Sequence, residues 1–181
     1  MSEMLDIVDD QDRVIGAALR SECHGNPSLI HRVAHVMVFN PAGELLLQLR
    51  GKNKKIQPDR WDSSVGGHLA LGETYRQGAE RELAEELGIR SVALTFMYGY
   101  VWKSTMETER VGTFQLIHEG GFTVQREEIQ EARFFTVAEI EKNLGQGIFT
   151  PNFEEEWARY KGWVRQATRS GSPLPEKQDP K

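Results

Sequence analysis

The segment GHLALGETYRQGAERELAEELGI, residues 67–89 of a 181-residue chain, decides the fold. Its second half reads as a helix from its own signals. Thr74 stands where an N-cap hydroxyl belongs, Gln77 follows at the capping-box spacing, and Gly88 is a natural terminator after Leu87. Successive helical residues advance by about 100°. With Glu82 as origin, Glu86 falls at roughly 40° and Glu85 at roughly −60°, so the three carboxylates share one side. Ala79, Leu83 and Leu87 fall at roughly 60° to 140° and form the stripe to be buried.

Three like charges this close repel one another, weakly on an exposed helix and more strongly as the local dielectric falls in a cleft. A divalent cation removes the conflict. Mg2+ and Mn2+ favour hard oxygen ligands and keep remaining positions for water and substrate phosphates. Such ions neutralise phosphate oxygens, position a water and lower its pKa, which is the chemistry that diphosphate hydrolysis requires. The plain alternative for ERELAEEL is a solvated acidic helix face.

Working outward, residues 4–20 read as two short strands around the acidic turn 9–12. Residues 31–40, HRVAHVMVFN, form a strand; Pro41-Ala42-Gly43 turns the chain, and 44–49 return as a second strand. A basic loop at 50–60, RGKNKKIQPDR, carries Arg50, Lys52, Lys54, Lys55 and Arg60. After the glutamate helix come strands at 92–103, 110–118 and 131–135, a short capped helix at 136–144 and a longer one at 151–167. In the last, Phe153, Trp157, Tyr160, Val164 and Ala167 repeat at alternating spacings of four and three. Trp61, Tyr98, Tyr100 and Trp102 read as core or sheet-face residues. The order strands, helix, strands, helices predicts an α/β fold, a mixed sheet covered by helices on both faces. Residues 1–168 are expected to form a single domain, and the polar, proline-containing residues 169–181 a disordered tail.

The net charge of −5, with 39% hydrophobic and 27% charged residues, fits a globular protein and disfavours nucleic acid as a partner held by bulk charge. Cys23 is the sole cysteine, so no intrachain disulfide forms. The acidic start has neither a signal peptide's apolar run nor a membrane span, and a cytoplasmic setting is expected.

Residues 67–89 resemble the Nudix box: glycine, five residues, glutamate, seven residues, then Arg-Glu-apolar-x-Glu-Glu-x-Gly-apolar. Gly67, Glu73, Arg81, Glu82, Leu83, Glu85, Glu86, Gly88 and Ile89 fill every specified position. The resemblance implies a Nudix α/β/α sandwich and a hydrolase of diphosphate bonds in a small, nucleotide-linked substrate. It implies Glu82, Glu85 and Glu86 as ligands of Mg2+ or Mn2+, with the Gly67 carbonyl beside them. Arg81 would orient the cluster through a salt bridge with Glu73. Some family members take the general base from a loop outside the box; Glu127 and Glu128 are the candidates here, with surface charge as the plain alternative.

Beyond the box, DIVDDQDRVIG, HRVAHVMVFN, LLLQLR and RWDSSVGGHLALGE resemble the isopentenyl-diphosphate isomerase branch of the same superfamily. That branch uses a cysteine where this chain has Gly66, and glycine cannot act as acid, base or nucleophile. Its metal site of three histidines and two glutamates matches His24, His31, His68, Glu107 and Glu109, and its diphosphate-holding positions match Arg50 and Lys54. Two partners fit the sequence, a small diphosphate-containing substrate and a second copy in a homodimer; membrane and nucleic acid do not. The alternatives to hydrolysis are an isomerase-like enzyme, a non-catalytic nucleotide-binding sensor and processing of capped RNA ends.

Overall fold

The computed structural model describes residues 3–54 and 56–170, so Lys55 and residues 171–181 of the expected tail lie outside the described residues. One strand organises the rest. β3 (Ile30–Phe39) is rich in β-branched and aromatic residues and is buried almost throughout, as a central strand must be. It pairs in parallel with β8 (Thr108–Ile117) along its whole length. It pairs antiparallel with β6 (Val65–His68), with β1 (Met4–Val8) through Ile7 and His31, and with β4 (Leu45–Arg50) through Phe39 and Leu45. The sheet then extends through β2 (Val14–Leu19) on β1, β7 (Thr95–Lys103) on β8, and β5 (Trp61–Asp62) and β9 (Ile129–Phe135) on β4.

Alternation along β3 feeds two cores. Ala34, Val36 and Val38 face α2 (Tyr75–Leu87) and meet its stripe of Ala79, Leu83 and Leu87, all buried. Met37 and Phe39 face the opposite way, onto Ile140 of α3 (Val137–Asn143) and Phe153 and Trp157 of α4 (Pro151–Ser170). The result is the predicted α/β/α sandwich. Trp61 and Tyr98 pack against the second core.

Thr74 caps α2 with the reciprocal Gln77 interaction, and Gly88 closes it in the left-handed conformation. Three elements were not anticipated: α1 (Arg20–Cys23), β5 and β6. The glycine pair in β6 has little strand propensity of its own, and its extended form comes from pairing with β3. β7 begins at Thr95 rather than at 92, because Val92 and Leu94 pack onto the α2 core instead of joining the sheet. α4 runs to Ser170, so residues 169 and 170, expected in the tail, are helical.

Candidate active site

The register of β6 against β3 sets the site. Val33 faces His68, Ala34 faces Gly67 and His35 faces Gly66, which delivers the start of α2 to the end of the central strand. There Arg81 ties the glutamates together. Its Nε and Nη2 each lie 2.9 Å from a Glu73 oxygen, and Nη2 also donates to the His68 carbonyl at 2.9 Å. Its Nη1 donates to Glu82 at 2.7 Å and to Glu85 at 3.3 Å. A bidentate guanidinium–carboxylate pair is the geometry that fixes orientation best. Burial acts against the Glu73 charge, but the Arg81 hydrogen bonds outweigh it and hold the carboxyl below its ordinary range.

Glu82 and Glu86 point into a cleft of about 380 Å³, while Glu85 sits at its exposed edge. Glu86 is buried and accepts from Gln48 Nε2 of β4 at 3.1 Å. Burial first, then the Glu82 charge, pushes its carboxyl up to about 8. Burial also raises Glu82, against the opposing pull of Arg81. The Glu82 carboxyl lies directly over Gly67: a Cβ there would stand 2.1 Å from Glu82 Cδ and Oε1. Only a glycine lets that carboxylate reach the strand backbone. A buried carboxylate forced towards protonation beside a second one fits a cation that has the ions' chemistry of hard oxygen ligation.

The same cleft holds a nitrogen-rich cluster. His24 follows α1, His31 opens β3, His68 closes β6 and Glu107 precedes β8, and one ligand atom from each lies within 4.8 Å of the others. His24 Nε2 and His68 Nε2 face each other at 3.0 Å, and Glu107 Oε2 lies 3.4 Å from His24 Nε2. His31 Nε2 and Glu107 Oε2 are buried with no hydrogen-bond partner among the described residues. Such orphaned atoms are costly unless something binds them. Burial lowers His31 to about 4 and His68 well below its ordinary value, leaving lone pairs for a metal. Glu109, opposite His31 across the β3–β8 ladder, borders this group without being one of its four members; burial and then Glu107 raise it to about 7.

Of the expected phosphate and base residues, Arg50, Lys54 and Glu128 line the same cleft. Arg50 Nη1 pairs with Asp62 at 3.0 Å, and Lys54 Nζ with Glu128 at 2.5 Å. Glu128 lines the cleft; its neighbour Glu127 is exposed and does not. The Gln125 N–H donates to the Glu86 carbonyl at 2.9 Å, tying the 123–128 segment to the end of α2.

Sequence reasoning missed one arrangement. His35, midway along β3, donates through Nδ1 to Glu156 of α4 at 2.9 Å. Glu156 is fully buried and also accepts from Tyr98 at 2.7 Å, Thr113 at 3.0 Å and Tyr100. Burial disfavours both charges, but their mutual contact outweighs it: His35 stays above and Glu156 below the ordinary value. Burial and then Glu156 raise both tyrosines, which therefore remain neutral donors.

The family model for the NUDIX domain matches residues 29–153. An uncharacterized Nudix hydrolase of Pseudomonas aeruginosa is 37% identical over 133 residues, covering 74% of this chain and 78% of the relative. One of Streptomyces coelicolor is 34% identical over 179 residues, covering 94% of each. Among solved structures, a Deinococcus radiodurans protein superposes with a TM-score of 0.77 at 24% identity, over 87% of this chain and 98% of that one. A MutT protein of Methanosarcina mazei gives 0.61 at 20% identity, over 82% and 98%. At such identities the superpositions speak for the fold; the family match and the curated relatives carry the rest, and this chain belongs to the Nudix hydrolase family.

Proposed function

We propose that the protein hydrolyses a diphosphate bond in a small, nucleotide-linked substrate with Mg2+ or Mn2+ held by Glu82, Glu85, Glu86 and the Gly67 carbonyl. The observation that carries this reading is the Glu86 carboxylate, buried and raised to about 8 beside Glu82 in an open cleft. A cation there supplies charge neutralisation at the phosphate oxygens and orientation of water.

The chain's own residues do the rest. Arg81, anchored on Glu73, fixes the rotamers of Glu82 and Glu85, so the ligand set is held before any ion arrives. Arg50 and Lys54, which line the same cleft, meet the remaining phosphate charge, the first as a planar fork and the second as a point charge. Glu128 stands ready to accept a proton from water as the new P–O bond forms and the bridging P–O bond breaks. His24, His31, His68 and Glu107 hold a second divalent ion, one softer than Mg2+, which the orphaned His31 Nε2 and Glu107 Oε2 support.

The test is a substrate panel with purified protein and Mg2+ or Mn2+: nucleoside di- and triphosphates, nucleotide sugars, ADP-ribose, dinucleotides, coenzyme A and isopentenyl diphosphate. Release of phosphate or nucleotide from one class is expected. An isomerised product from isopentenyl diphosphate, or tight binding without turnover, would overturn hydrolysis in favour of an isomerase or a sensor.

A further inference from the structure

The His35–Glu156 pair belongs to neither metal cluster, yet it opens onto the same cleft. His35 lines that cavity, whereas Glu156 lies behind it in the α4 core. An ionised carboxylate only accepts, so the bond to Glu156 fixes the hydrogen on Nδ1 and the plane of the ring. Nε2 then turns the other way, towards β6. A Cβ on Gly66 would stand 3.0 Å from His35 Cδ2 and 3.3 Å from Nε2. The missing side chain at 66 is thus what lets the imidazole lie against the strand with its outer edge free to meet a ligand. Among the described residues Nε2 has no hydrogen-bond partner, and His35 is not one of the four residues whose ligand atoms cluster within 4.8 Å.

A purely structural account leaves the arrangement unexplained. Apolar packing serves stability at least as well as a buried ion pair, and the flanking core is apolar, with Met37, Phe153 and Trp157. Instead, α4 supplies Glu156 to the imidazole, and β7 and β8 supply Tyr98, Tyr100 and Thr113 as donors that satisfy the Glu156 carboxylate. Other titratable groups near the ring are Asp62, Glu109 and His68, and Arg159 sits over the Tyr100 ring at 4.3 Å.

We propose that His35 is a substrate-contacting residue, its Nε2–H donating a charge-assisted hydrogen bond to a phosphate oxygen, with Glu156 as the positioning residue that locks the ring. This deepens the diphosphate reading above and rests on it. The contact adds an anion-binding donor to the lining of the cleft that also holds the glutamates and the histidine cluster.

The probe is methylenediphosphonate, a non-hydrolysable diphosphate, added with Mg2+. Asparagine at position 35 places an amide N–H where Nδ1 stands and so keeps a donor for Glu156 while deleting the outer one. His35→Asn is expected to weaken probe binding about tenfold, the weight of one charge-assisted hydrogen bond, with Mg2+ affinity unchanged. In the wild-type protein, two-bond 1H–15N correlation is expected to show the His35 Nε2 signal moving in step with probe saturation, a readout independent of how the variant folds. Equal affinity in His35→Asn, or an unmoved Nε2 signal at saturation, overturns the proposal. So does loss of the Nε2 proton on adding Zn2+ alone, which makes the ring a metal ligand. Absence of probe binding overturns this contact and the diphosphate reading together. Hydrolysis of a panel member with Nε2 unmoved sinks the contact alone; an Nε2 shift without any hydrolysis sinks the hydrolase reading alone.

Discussion

Lys54 Nζ lies 2.5 Å from Glu128 Oε2, so the cation proposed to meet substrate phosphate is paired with the carboxylate proposed as base. The chain brings them together from 74 residues apart by bonding Gly51 N–H to the Glu128 carbonyl at 2.7 Å. On the proposed roles, a phosphate that recruited Lys54 would release Glu128 and so couple substrate arrival to exposure of the base.

Lys54→Ala should therefore raise KM about tenfold with a smaller change in kcat, while Glu128→Gln should act mainly on kcat. Steady-state kinetics on both, and on the double variant, check this. Additive effects in the double variant would show that the pair does not act as a unit. Both side chains are partly exposed, so neither change should shift the melting temperature appreciably.

Gly67→Ala should leave the fold standing and spoil the metal site. The added methyl collides with the end of the Glu82 side chain, which can swing away, rather than with backbone. Divalent-ion affinity, read by isothermal titration, should fall at least tenfold while the melting temperature changes little. Unchanged affinity would separate the Glu82 position from metal binding.

Arg81→Lys loses the fork that binds Glu73 and the His68 carbonyl together. Activity is expected to drop about ten- to hundredfold, as for groups that orient metal ligands. Glu73→Gln, which leaves Arg81 its other partners, should cost less, and kcat for the two variants provides the comparison.

The metal-free protein should lose stability as pH rises. Glu86 is raised to about 8 in the folded chain from an ordinary value of 4.5, so the native state binds the extra proton. Its contribution is fully present below 4.5 and is lost as pH climbs through about 8. Melting curves in chelator should show this fall, Glu86→Gln should flatten it, and Mg2+ should raise the melting temperature more at pH 8 than at pH 5.

Much of this was legible in the sequence, for local reasons. The α2 boundaries follow from Thr74, Gln77 and Gly88, whose signals act within one turn. The side-by-side placement of Glu82 and Glu86 follows from helical periodicity alone. β6 was not legible, because its extended form depends on a partner strand far away in sequence. Nor was the His35–Glu156 pair, whose members are 121 residues apart. One trace of it was present: Glu156 sits three residues after Phe153 and four before Tyr160, on the apolar stripe of α4, where an unpartnered carboxylate would be costly. The Lys54–Glu128 contact left no such trace, because both residues read equally well as surface charge.

The central claim is tested most directly by one comparison: turnover of the substrate class identified in the panel by wild-type protein and by Glu86→Gln, each with Mg2+ or Mn2+ and with chelator. The account predicts hydrolysis that needs the ion and disappears in a variant whose melting temperature is retained. Metal-dependent hydrolysis that survives in Glu86→Gln would contradict it.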